Sequence, residues 1–486
     1  MSTSLAISIL VVYFLLLIIV AHFTSKGADT NTFFTANKQS PWWLVAFGMI
    51  GTSLSGVTFI SVPGSVGKIH FSYFQVVLGY SLGYLTIALV LMPMYYRLNL
   101  ISIYSYLEKR FGFWSYKTGS AFFVLSRTVG SAVRLYVAVN VLQLAIFDSL
   151  GVPFELTVLI TIGLIWIYTF KGGVKTIIWT DTLQTFFLLT ALIITIILIS
   201  NQLHLGVGDM ITQVSNSSYS KLFVWEWADK HHFVKDFLSG AFIAIVMTGL
   251  DQDLMQKNLT CKSIGEAQKN MFWFYIVLVF VNLLFLSLGA LLYIYAQQTG
   301  FLIPDKTDDL YPMLALGGHF GSLAAVTFLL GIIAATYASS DSALTALTTS
   351  FCIDFMNIEK YEEAKRAKIK HYVHLGFSIL FFLVIIVFKA LNNQEVISAV
   401  FNLAGYTYGP LLGLFSFGLF LKTPVNDKFV PLVCILSPLF IYVLDVNSKE
   451  WFNGYQFGFE KLILNGLFTF AGLMILSKKQ DKKELA

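Results

Sequence analysis

The chain is written in long apolar runs separated by short polar ones, from Leu5 to near Ser477. A helix needs about 20 apolar residues to cross the hydrocarbon core of a bilayer, and runs of that length recur from end to end. They predict an all-α polytopic membrane protein. About thirteen transmembrane helices are expected, at residues 4–23, 42–64, 71–95, 118–146, 152–170, 178–200, 236–256, 270–296, 316–350, 372–390, 395–421, 429–445 and 457–477. No connecting segment is long enough for a soluble domain. The longest, 201–235, carries WEWADKHHF, whose tryptophans suit the membrane–water interface.

Two runs depart from the apolar pattern. The first, Trp42 to Gly64, reads WWLVAFGMIGTSLSGVTFISVPG and turns small and polar at Gly51-Thr52-Ser53-Leu54-Ser55-Gly56. Glycines weaken a helix and let other groups reach its backbone. Unwound backbone at membrane depth is tolerated only inside protein or beside a cavity, and a cation is one partner for the freed carbonyls. The segment is therefore expected to break between Gly51 and Ser55 and to hold an ion and a solute. The alternative is an unbroken helix that packs closely through small residues.

The second departure is GIIAATYASSDSALTALTTSF, from Gly331 to Phe351. Ala335, Ser339 and Ser342 share one face of this helix by their spacing of three and four. A hard cation such as sodium takes oxygen ligands from hydroxyls, carbonyls and carboxylates, and this helix offers all three. Asp341 is costly inside a membrane and needs a cation, a base or a water-filled path. The plainer reading is hydrogen bonding between helices, with Asp341 paired to an arginine.

Composition agrees with the pattern. Hydrophobic residues make up 56% of the chain and charged ones 12%, against about 25% charged in a soluble domain. Formal charge is +5, but its distribution is more informative. With the N-terminus outside, the inward loops and tail collect most of the lysines and arginines, including Lys109, Arg110, Lys257, Lys262, Lys269, Lys365 and Arg366. That is the bias expected of cytoplasmic loops, and it fits an odd number of spans ending in a cytoplasmic tail after about 477. No separate basic helix or aromatic-interleaved basic patch suggests nucleic acid. Cys261, Cys352 and Cys434 are far apart and without metal-binding spacing. Leu5–Phe23 lacks a basic leader and cleavage site, so it reads as a retained span.

Further charges lie within or beside the spans. Asp181, in WTDTLQTFFLL, suits a cation site or equally a first-turn helix cap. Asp251 and Asp253, in LDQDLMQK, suit an inner gate closed by Lys257 or a basic loop; the bland equivalent is an Asp253–Lys257 pair along one helix. Arg127 and Arg134 are seven apart on roughly one face of the fourth span. Each either neutralises a buried acid or meets an anionic solute group, and the deeper Arg134 is the candidate for a solute carboxylate. Ser53, Ser55 and Thr58 on the broken helix are candidate solute contacts, with Gln75, Tyr406 and Tyr408 as further ones. The seventh span, rich in small residues, corresponds to the broken second span if two inverted halves are present, the arrangement common in transporters.

Taken together, GTSLSGVTFISVPG (51–64), YSYLEKRFG (104–112), TFKGGVKTIIWTDTLQTFF (169–187), DQDLMQK (251–257) and AATYASSDSALTALTTSFCIDF (334–355) resemble the sodium/solute symporter family, carriers of sugars, proline, sialic acid, iodide or vitamins. The resemblance runs over nearly the whole chain. It implies a five-plus-five inverted-repeat core with discontinuous helices and an extra N-terminal span: residues 1–41 as that span and loop, 42–235 and 236–421 as the two repeats, and 422–486 as C-terminal spans and tail. It implies import of a small organic solute by alternating access, driven by sodium. The principal sodium ligands would be the carbonyls of Gly51, Leu54 and Ala335 and the hydroxyl of Ser339. Position 338 is Ala338, where the family commonly has a second hydroxyl, and Asp341 stands where many relatives carry Ser or Thr. With Ser342 and an acid matching Asp181, Asp341 falls at a second sodium site. One or two sodium ions and proton coupling all stay open, and no organic cofactor is expected.

No HExxH, GxSxG or Ser-His-Asp arrangement supports an enzyme, and no attached signalling domain supports a sensor. Expected partners are a small solute, carboxylate-bearing or a sugar, and the lipid bilayer, with a monomer sufficient. The short loops suggest a bacterial inner membrane.

Overall fold

A computed structural model of the chain describes residues 3–170, 172–227, 229–391 and 396–477. The expected cytoplasmic tail lies outside the described residues. The main helices are α1 (Thr3–Thr24), α2 (Trp42–Ser53), α3 (Gly56–Ile69), α4 (Tyr73–Thr86), α5 (Phe113–Leu142), α6 (Phe154–Thr169), α7 (Gly173–Gln202), α8 (Phe233–Ala244), α9 (Gln252–Asn258), α10 (Ile264–Thr299), α11 (Gly321–Ser350), α12 (Glu363–Leu391), α13 (Val396–Thr407), α14 (Gly409–Phe420), α15 (Val430–Trp451) and α16 (Lys461–Ile475). Short helices and turns link them.

Among the described residues, eight helical stretches are long and apolar enough to cross a membrane. The number rises to ten when two bent pairs each count as one span: Phe233–Gly249 with Gln252–Asn258, bent by 68°, and Ala399–Thr407 with Gly409–Phe420, bent by 44°. The thirteen expected spans are thus only partly matched by long helices. Trp42–Ser53, Phe154–Thr169 and Lys461–Ile475 are apolar but shorter. At 1.5 Å per residue, such helices reach about 18–24 Å, less than the hydrocarbon thickness.

The core is built around α11. Every residue from 331 to 350 is buried, so the polar-rich part of this helix is enclosed by protein. Helices α2, α3, α5 and α7 pack against it. Apolar side chains at the periphery face outward, among them Val11, Val12 and Leu15 on α1 and Leu432, Ile435 and Leu439 on α15.

Two breaks fall inside this core. The first separates α2 from α3: Leu54 (φ −86°, ψ 68°) and Ser55 (φ −66°, ψ 173°) leave the helical region, within the stretch expected to unwind. The second separates α8 from α9. A π turn over Ile245–Gly249 leads to Asp251, whose extended backbone (φ −108°, ψ 121°) begins α9 and whose carboxylate accepts from the Asp253 N–H.

The partner helices can approach because small residues line the crossings. A Cβ at Gly240 of α8 would lie 2.1 Å from the Val76 carbonyl oxygen, and one at Gly79 of α4 would lie 2.0 Å from that of Phe237. Backbone cannot yield as a flexible side chain does, so Gly240→Val must push α4 and α8 apart. Overpacking of this kind costs about 1–3 kcal/mol or more. Gly240→Val is expected to lower the melting temperature of the purified protein, whereas Ala at Gly163, which has open space beside it, leaves it nearly unchanged.

Candidate functional site

The first break leaves carbonyls without partners. The Ile50 carbonyl accepts from the Leu54 N–H at 2.8 Å and the Ser55 carbonyl from Phe59 at 3.1 Å. Between them, the carbonyls of Gly51, Thr52, Ser53 and Leu54 accept no backbone hydrogen bond among the described residues. Gly51 lets α7 come up against this turn: a Cβ there would sit 2.3 Å from Thr185 Oγ1. Ala335 and Ser339 lie on α11, which packs on both α2 and α3. The Ser339 hydroxyl donates to the Thr336 carbonyl at 2.9 Å, so its own oxygen stays free to accept.

The same region gathers the buried charges. Asp181 on α7 is fully buried and is bonded by the Thr52 hydroxyl at 2.9 Å and by the Lys257 ammonium. Lys257 also donates to Thr52 and lies 4.0 Å from Asp253. Asp253 is bound by the Arg127 guanidinium and by the Ser342 hydroxyl. Arg127 lies 3.6 Å from Asp251, which also accepts from Tyr408 at 2.6 Å. Asp341 accepts from Tyr168 at 2.7 Å through one oxygen. Its other oxygen, Oδ1, is buried with no hydrogen-bond partner, and no base lies within ion-pair distance among the described residues.

A cavity opens beside this network. Its lining includes Thr52, Ser53, Ser55, Thr58, Arg127 and Arg134. Tyr73 and Phe401 stack at 6.5 Å and 22°, and both also line a second cavity. The aromatic pair therefore stands between the two spaces. Arg134 is cavity-lining and forms no ion pair with the acids of the network.

The other expected residues lie elsewhere. Gln75 is fully buried but engaged by the 224–231 segment: its amide donates to the His231 carbonyl at 2.9 Å and accepts from the Val224 N–H at 3.1 Å. Tyr406 bonds Asp445, which also pairs with Lys461 at 2.7 Å, in a cluster of C-terminal helices. Tyr408 bonds Asp251 and is absent from the cavity lining.

The structure departs from the sequence expectations at several of these charges. The sequence places Lys257 in an inward loop, but it is 1% exposed and held inside the core. The Asp253–Lys257 pair along one helix exists, yet Asp181 on another helix is the nearer partner. Asp341 has Tyr168, not an arginine, as its neighbour. The acids expected at an inner gate find their base in Arg127 of the fourth span. Thr52 and Tyr168 were missed altogether. A hydroxyl in an apolar run gives no signal of what it meets across space.

The profile of the sodium:solute symporter family matches residues 33–427. The chain belongs to this family. Family members with similar sequences include the sodium/sialic acid symporter NanT of Aliivibrio fischeri, 25% identical over 90% of this chain and 86% of the relative. The sodium/sialic acid symporter SiaT of Proteus mirabilis is 26% identical over 84% and 82%. In three dimensions, a Na+-coupled sialic acid symporter solved in a substrate-bound outward-open state superposes with a TM-score of 0.82 at 22% identity, over 97% of this chain and 98% of that one. The nucleobase-cation-symport-1 transporter Mhp1, in a closed conformation, matches at 0.54 and 12% identity over 91% and 93%. The family member described here thus has the all-α inverted-repeat architecture with discontinuous helices. It is a carrier rather than an enzyme: a sodium-coupled secondary active symporter of a small organic solute.

Removing one partner of a buried ion pair strands the other and costs about 3–5 kcal/mol. Arg127→Met leaves both Asp251 and Asp253 without their arginine. It is expected to destabilise the protein by that order, read as a fall in melting temperature, and to do so more than Arg134→Met, whose removal strands no ion-pair partner.

Proposed function

We propose that this symporter imports a solute bearing a carboxylate, with Arg134 as the partner of that group, and draws its energy from one or two sodium ions bound at the first helix break. One observation carries the reading. Asp341 Oδ1 is fully buried and unpartnered, in a core that also contains backbone carbonyls without backbone bonds. Such oxygens call for a cation, and sodium accepts carbonyl, hydroxyl and carboxylate ligands together. In this reading the principal ion takes the carbonyls of Gly51, Leu54 and Ala335 and the Ser339 hydroxyl. Ala338 contributes no side-chain ligand. Asp181, Asp341 and Ser342 surround the second position.

The solute reading is supported by the cavity lining, where Arg134 meets Ser53, Ser55 and Thr58. It is also supported by relatives whose substrates carry a carboxylate, the sialic acid symporters and a sodium-coupled monocarboxylate transporter of Mus musculus, 25% identical over 82% of this chain and 65% of the relative. Gln75 and Tyr406 act on the solute path indirectly, through the outer loop and the C-terminal helices. Tyr408, Asp251, Asp253 and Arg127 form the inner closure.

For topology, we read α2 with α3, α8 with α9, and α13 with α14 as single discontinuous spans, and α6 and α16 as short complete ones. With the remaining helices this makes thirteen. The N-terminus is then outside and the C-terminus cytoplasmic, with repeats over 42–235 and 236–421. A bacterial inner membrane fits the two sialic acid symporters above. One charge moving through 100 mV contributes roughly 2.3 kcal/mol, enough for about fifty-fold accumulation.

Uptake into proteoliposomes tests the reading, with N-acetylneuraminate, pyruvate and galactose as solutes and an imposed inward sodium gradient. Uptake of an acidic solute is expected to require sodium, and Ser339→Ala should raise the sodium concentration for half-maximal uptake about tenfold. Full-rate uptake without sodium would overturn the coupling. In the same assay Arg134→Gln is expected to reduce uptake of the acidic solute by about a hundredfold; unchanged uptake would remove the carboxylate assignment.

A further inference from the structure

The cation that Asp181 already has is covalently attached. Lys257 reaches from α9 to the broken turn, where its ammonium donates to Thr52 Oγ1 and to Asp181 Oδ2. Asp253 stands 4.0 Å away. Both Lys257 and Asp181 are buried, so the pair is shielded from solvent in this conformation. A hydroxyl and a carboxylate oxygen, with a second carboxylate nearby, are also what a sodium ion takes. An ammonium and a sodium ion compete for the same oxygens, and only the ammonium is tethered.

We propose that the Lys257 ammonium stands permanently in place of a transported sodium ion between Thr52 and Asp181, so that it lowers by one the number of ions each chain binds. The proposal rests on the sodium-coupled reading above and concerns how many ions are coupled, not whether coupling occurs. It gives Lys257 a role in setting stoichiometry. The tethered charge neutralises Asp181 in every conformation that keeps the pair. It draws nothing from the sodium gradient and limits the accumulation the gradient can support. The unpartnered Oδ1 of Asp341 is a separate oxygen; the Oδ2 of that carboxylate accepts from Tyr168 on another helix.

The test needs no knowledge of the solute. Equilibrium binding of radioactive sodium is measured on protein purified in lipid nanodiscs, together with melting temperature across a sodium titration. Lys257→Met keeps the length and removes the charge. It is expected to bind one sodium ion more per chain than the unchanged protein, and its melting temperature should rise steeply with sodium as the ion takes over Asp181. Asp181→Asn combined with Lys257→Met removes both charges of the pair. This double variant should lose the extra ion and the added sodium dependence. An unchanged ion count in Lys257→Met overturns the proposal. So does a Lys257→Met protein that even high sodium fails to stabilise while the double variant folds, because sodium then cannot take the position. If the unchanged protein binds no sodium, the coupling reading fails, yet the comparison of single and double variants still decides the part played by the lysine.

Discussion

A backbone carbonyl released from its helix in the middle of a bilayer has no water to accept from. The turn between α2 and α3 releases several at once, from Gly51 to Leu54. Much of the surrounding structure can be understood as what such a turn requires. Glycine at 51 lets α7 approach with Thr185 and Asp181, and glycine at 56 lets α11 approach with Thr336. Those two helices carry the hydroxyls and acids that a cation needs. The polar load of α11 is affordable because it is surrounded on all sides by protein.

The acids impose a second requirement. Asp181, Asp251, Asp253 and Asp341 are all essentially removed from solvent, so each must be matched. Three of them are matched by Arg127 or Lys257 from other parts of the chain. The matches join α5, α7, α9, the α2–α3 turn, α11 through Ser342, and the start of α14 through Tyr408. Buried ion pairs of this kind are weak evidence for stability, since well-packed apolar residues often serve as well. Their better-attested use is to specify one arrangement over another. A network that spans both broken segments is suited to exchanging partners when one bundle moves against the other.

How far this was legible in the sequence depends on the kind of signal. The break was legible because Gly-Thr-Ser-Leu-Ser-Gly interrupts an apolar run, and the polar face of α11 was legible because its hydroxyls recur at helical spacing. Arg127 and Asp341 stood out because charge is rare in such runs. Lys257 did not stand out. It ends an apolar stretch, and a base four residues after Asp253 looks like an ordinary surface pair. Only the fold brings it against Asp181, distant in sequence and on a different helix. Gln75 and Tyr406 show the opposite failure. Each is a polar side chain in an apolar run, yet their hydrogen bonds go to the His231 carbonyl and to Asp445. Periodicity tells which residues share a helix face, and it does not tell which neighbour that face meets.

Coupling between ion and solute is reciprocal: each must strengthen the other's binding by the same factor. That needs groups belonging to both sites, and two such groups are present. Thr52 lines the cavity beside the break and also bonds Asp181 and Lys257. Arg127 lines the same cavity and holds Asp251 and Asp253 at the start of α9. A change at Asp181 therefore reaches a hydroxyl in the cavity wall through Thr52, and a change beside Arg127 reaches Asp251 and Asp253. The link is short because the helix break both lines the cavity and adjoins the buried acids. Separating the two functions would require the α2–α3 turn to become continuous helix, which would withdraw the free carbonyls and the polar lining together.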